Sequence, residues 1–63
     1  MFDLKVARIS ANLTQQALAD KSGINIRQLQ KIEKGEIQIG NITLRNAKSL
    51  ADALEIPITL LLD

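Results

Sequence analysis

The sequence predicts an all-α fold, a compact set of five short helices, and three observations carry that expectation. Apolar residues recur at spacings of three and four through most of the chain, the pattern of helices with one buried face. Only one proline and three glycines interrupt 63 residues, so the connections are short. Small polar residues stand just ahead of the periodic runs, where helix caps are required.

Helix one is expected to align Leu4, Ala7, Arg8 and Ala11 on one stripe. Asn12 stands where a left-handed residue closes a helix, and Leu13 supplies the apolar contact that accompanies such a cap. Thr14 caps helix two, over 15–21, where Leu18 faces inward and Ala17 and Ala19 let another helix approach. Ser22, Gly23 and Ile24 form the break, with Gly23 able to take positive φ at no steric cost. Helix three follows with Asn25 as N-cap, Gln28 as capping-box partner, and Ile24 with Leu29 as hydrophobic staple. Gly35 ends it, after Lys31 and Lys34 in the last turn, where cations complement the dipole. The loop over 36–40 holds Ile37 and Ile39, which are expected to tuck against the domain. Helix four begins at a cap on Asn41 or Thr43 and carries Leu44, Ala47, Leu50, Ala51 and Leu54 on one face. Pro57 opens a final helix over 58–63, with Ile58, Leu61 and Leu62 directed at the core.

A chain of this length makes one domain, 1–63, and buries only about 60% of the surface its unfolded state exposes. Without cysteine it has no disulfide or thiolate metal site, which fits a reducing, cytoplasmic setting and leaves packing or a partner chain to supply stability. Histidine, tyrosine and tryptophan are absent too, no carboxylate pair has metal-ligand spacing, and no glycine-rich loop cradles phosphate. These absences argue against an enzyme, a cofactor or a small-molecule effector. The longest apolar run, 56–62, is too short to span a bilayer, so no membrane role is expected.

Helix two, a glycine-containing turn and helix three together form a helix-turn-helix over 15–34. At about 100° per residue with Ile26 at zero, Arg27, Gln30, Lys31 and Lys34 fall between roughly 40° and 140°, and Leu29, Ile32 and Glu33 between roughly 240° and 340°. One face is therefore apolar and the other basic, although the overall charge is only +1. Guanidinium, ammonium and amide groups on an exposed helix face suit phosphate oxygens and base edges of double-stranded DNA. Arg27, in the first turn, is the candidate base reader; Gln30 and Lys31 lie one turn deeper, and Lys34 is placed for phosphate.

The runs Leu13-Thr14-Gln15-Gln16, Leu18-Ala19-Asp20-Lys21, Ser22-Gly23-Ile24, Lys31-Ile32-Glu33-Lys34-Gly35, Asn41-Ile42-Thr43-Leu44 and Leu50-Ala51-Asp52-Ala53-Leu54 read as successive motifs. Together they resemble the phage repressor and Cro-type helix-turn-helix family, also called XRE-like. The resemblance implies a five-helix, repressor-like domain with helix three in the major groove, and Gln15 on the DNA backbone. It further implies that Arg8 and Glu33, each beside apolar neighbours, pair as a structural ion pair. Ile26 departs from the family's usual polar residue, and either touches a thymine methyl or leaves recognition to its neighbours.

The expected function is a sequence-specific transcriptional regulator of repressor type. A second reading is a protein-interaction or antitoxin-like module that uses the same fold to bind another protein. Ile56, Ile58, Leu60, Leu61 and Leu62 exceed what one terminal helix can direct into its own core, so a homodimer through 57–63 is expected.

Overall fold

The computed structural model describes residues 2–62, and the elements within them are helical: α1 (Leu4–Ser10), α2 (Gln15–Ser22), α3 (Ile26–Lys34), α4 (Leu44–Leu54) and α5 (Ile58–Leu62), with one 3-10 turn at Ile39–Asn41. Asp63, the expected end of the last helix, lies outside the described residues.

Each longer helix begins at a side-chain cap. The Asp3 carboxylate accepts from the Val6 N–H, Thr14 Oγ1 from Ala17, and Thr43 Oγ1 from Asn46, so Thr43 rather than Asn41 opens α4. At α3 the Asn25 side-chain oxygen accepts from Arg27 at 2.8 Å. That bond goes to the second helical residue instead of the third, so the reciprocal capping box expected with Gln28 is not set up. Among the described residues Gln28 makes no hydrogen bond back to Asn25.

The ends of α1, α3 and α4 share one pattern, whereas α2 closes by a single bond from Gly23 to Ala19. Asn12, at φ 60°, passes its N–H to Ile9 and the following Leu13 N–H to Arg8, two bonds that satisfy carbonyls left over by the helix. Gly35, at φ 85°, closes α3 by the same pair of bonds, to Ile32 from itself and to Lys31 from Glu36. Glu55 does so for α4 at φ 58°, in a conformation that costs a side-chain-bearing residue about 1–2 kcal/mol. Ala11 is exposed because it already belongs to the cap of α1 rather than to its inward stripe.

Leu18, Leu29, Leu50 and Leu61, one from each of α2 to α5, are fully buried and form the centre of the core. Each stabilises the fold by about 1.5–3 kcal/mol relative to exposure. Ala19, Ala47, Ala51 and Ala53 are buried beside them, small enough for α4 to lie close against α2. Leu4 closes the core from α1, and Leu13, Ile37 and Ile39 pack on it from the connections, as their apolar character requires. Two expected core residues face outward. Measured from Leu44, the buried residues of α4 span about 180° to 340°, so Leu44 stands at the edge of that sector and is exposed, while Ala53 takes a buried place. Around α5, Ile58 and Leu61 point inward, and Leu62 lies some 70° off their mean direction, half out of the core. Among the described residues no helix is long and apolar enough to cross a membrane.

Candidate nucleic-acid interface

The placement of α3 is decided by the turn before it and by its buried face. Before it, Gly23 turns the chain at φ 75°, and Ser22 Oγ accepts from the Ile24 N–H while donating to the Ala19 carbonyl. This folds the turn onto α2 and drives Ile24 into the core, which fixes where α3 begins. Behind it, Leu29 and Ile32 are buried against the body of the protein.

With that face fixed, Arg27, Lys31 and Lys34 project into solvent along one side of α3. All are free of ion pairs at the salt-bridge distance among the described residues. Their charge is therefore available, and the macrodipole's positive end at Arg27 adds to it. Ile26 is half-buried and packs against the core, so most of its surface is already committed.

Between the basic side and the core runs a chain of polar contacts. Arg8 Nε donates to Glu33 Oε2 at 2.8 Å, and a second guanidinium nitrogen to Glu33 Oε1 at 3.2 Å, a two-point pair that ties α1 to α3. The third guanidinium nitrogen donates to the Leu13 carbonyl at 2.8 Å, so the same side chain also holds the α1–α2 connection. The side chains of Arg8 and Glu33 are 11% and 3% exposed, and no buried polar side-chain atom among the described residues lacks a partner.

Glu33 Oε1 also accepts from Gln15 Nε2 at 3.2 Å, and Gln15 Oε1 accepts from Gln30 Nε2 at 3.4 Å. Gln15 and Gln30, each half-buried, thus connect the buried carboxylate to the solvent-facing side of α3. Neither link is visible in the sequence, because both depend on the register between α2 and α3. The one sequence signal is that Gln30 and Glu33 are neighbours on the α3 surface. Among the described residues no group of three or more acidic, cysteine or histidine side chains is close enough to hold a metal ion.

A family model described as Helix-turn-helix matches residues 4–61 of the chain. No curated protein matches it.

Proposed function

The chain belongs to the XRE-like helix-turn-helix family of DNA-binding regulators, and from that premise we propose that it is a sequence-specific repressor that reads the major groove with α3. The observation that carries the reading is the segregation of α3, with Leu29, Ile32 and Glu33 locked inward and Arg27, Lys31 and Lys34 exposed on the other side. Arg27, in the first turn, places a guanidinium where recognition helices meet base edges, and its planar fork matches guanine O6 and N7. Lys31 reaches the next base pairs or their phosphates, and Lys34 the backbone. Gln15, at the first position of α2, keeps one N–H for a phosphate oxygen after bonding Glu33, and the positive end of that helix favours the anion. Ile26, largely covered by the core, contributes at most an apolar edge to a thymine methyl. Repression needs no further machinery, since a molecule seated on a promoter occludes it.

The working form proposed is a homodimer joined through 57–63. Leu60 and Leu62 are 54% and 50% exposed on α5, and a second chain is the simplest cover for them.

Selection of duplexes from a randomised pool by the purified chain, followed by binding measurements at several salt concentrations, tests this reading. Arg27→Ala and Lys31→Ala are expected to weaken binding while melting stays nearly unchanged, with Arg27→Ala losing about 1–3 kcal/mol of discrimination at one base pair. Lys34→Ala is expected to weaken all sequences alike and to flatten the salt dependence by about one counterion. If Arg27→Ala and Lys31→Ala both hold the selected duplex as tightly as the parent, α3 is not the reader.

A further inference from the structure

The polar chain from Glu33 has a direction, and that direction reaches the DNA-facing side of α3. A carboxylate only accepts hydrogen bonds, so the group that Gln15 turns to Glu33 must be its amide nitrogen. Gln15 Oε1 then faces away from Glu33, and being only an acceptor it obliges Gln30 to present its own nitrogen. Arg8 holds both carboxylate oxygens, Oε2 at 2.8 Å and Oε1 at 3.2 Å, so Glu33 cannot swing to relax the constraint. The orientations of both amides are therefore set by one buried negative charge.

We infer that Gln30 is an adenine-selecting residue whose amide is oriented by Glu33 through Gln15. Of its two N–H groups, one is spent on Gln15, and when that is the hydrogen pointing away from Oε1 the other stands beside the Oε1 acceptor as a donor–acceptor pair. Adenine offers the complement in the major groove, an acceptor at N7 and a donor at the N6 amino group. Guanine offers two acceptors there and would leave Oε1 facing a carbonyl. A free glutamine can rotate its amide to suit other bases, whereas this one would have to break the chain to do so. Gln30 lies on α3 at the border between Glu33 and the Arg27, Lys31 and Lys34 side, a place from which it can touch both. Gln15 is in this scheme a positioning residue as well as a phosphate contact.

The inference rests on α3 being the DNA-reading helix, and its test separates the two. A duplex is first selected from a randomised pool with the full chain, and affinities are then measured for all four base pairs at each position. The parent, Gln30→Ala and Gln15→Ala are compared, with melting curves taken alongside. Expected is one A·T pair at which the parent discriminates about 5- to 150-fold and Gln30→Ala does not. Gln15→Ala is expected to lose discrimination at that same pair, beyond any even loss of affinity, with the Arg8–Glu33 pair and the fold retained and the melting temperature lowered only by the one hydrogen bond withdrawn from Glu33. A merely structural role for Gln15 would not move the preference at a single base pair. If Gln30→Ala leaves every preference intact, or removes one for G·C, the assignment of Gln30 is overturned while α3 remains the reader. If Gln15→Ala weakens all sequences evenly and the adenine preference survives, the orienting chain is overturned. Failure to select any duplex overturns both this inference and the DNA-binding reading beneath it.

Discussion

Arg8 and Glu33 form a pair whose two halves are unequally exposed, at 11% and 3% of their side chains, and the inequality decides what each truncation does. Arg8→Ala strands a buried carboxylate with Gln15 as its only remaining side-chain donor among the described residues and also frees the Leu13 carbonyl. Removing one member of a buried pair costs about 3–5 kcal/mol, and in a domain of this size that lowers the melting temperature by more than about 10 °C. Glu33→Ala leaves the better solvated partner behind, with the Leu13 carbonyl still in place, so its loss is expected to be the smaller. Thermal melts of the two variants check the order; equal losses, or a larger loss for Glu33→Ala, would show that the carboxylate is not the buried charge that matters. Both residues are recognisable in the sequence as charges beside apolar neighbours, and the resemblance to the repressor family pairs them. The hydrogen bonds that extend the pair to Gln15 and Gln30 are not recognisable there. They arise only when two helices meet at one particular register.

The helices are legible in the sequence to the extent that their signals are local. Thr14, Asn25 and Thr43 cap the helices they precede, and Gly23 and Gly35 take the positive φ their positions demand, because caps and turns are decided within four or five residues. The edges of the buried faces are less legible: Leu44, Leu62 and Ala53 lie where burial depends on which neighbour covers them. Glu55 is the plainest case. Nothing about a glutamate marks the left-handed position at the end of α4, which is imposed by the Ile56 N–H returning to the Ala51 carbonyl. The strain there, about 1–2 kcal/mol, is relieved by Glu55→Gly and partly offset by about 0.4–1 kcal/mol of unfolded-state freedom. A net gain of about 0–1.6 kcal/mol is expected. Gly35→Ala is the mirror experiment. An added Cβ there meets no atom within 4 Å, so its cost is torsional alone, a net loss of about 1 kcal/mol. Denaturant midpoints read both, and a loss for Glu55→Gly would mean that its side chain contributes more than the left-handed backbone costs.

At the scale of the whole molecule, the extents of 23 × 23 × 20 Å limit how one copy can find a site. A single α3 of nine residues spans only a few base pairs, too few to single out one sequence in a genome, and two-fold pairing is the economical remedy. Half-sites read on one face of the duplex lie about one helical turn apart, roughly 34–36 Å. Two copies in contact hold their centres about 31–33 Å apart, the 23 Å extent plus about 8–10 Å between packed backbones, which is near that spacing, and the interface must lie on a face other than the one α3 turns to DNA. The segment after Pro57 is the candidate, because α5 packs on α4 and on the turn at Ile39–Asn41, and its Leu61 and Leu62 share a groove with Ile32, Glu33 and Lys34 at the C-terminal end of α3, the end opposite Arg27. Leu60 and Leu62 emerge from it on different sides, each about half exposed, so replacing both removes the apolar surface whichever side the partner covers. The double variant Leu60→Glu, Leu62→Glu is expected to keep its helical content, since Leu61 and Ile58 still fill the core. It is expected to sediment as a monomer with and without operator DNA, and to bind a single half-site as the parent does. On a duplex with two inverted half-sites it should lose at least tenfold in affinity, the advantage that joining two weak contacts confers. A parent chain that sediments as a monomer on an asymmetric site at one-to-one stoichiometry would remove the dimer, and would leave α3 as the reader of a site only half as long.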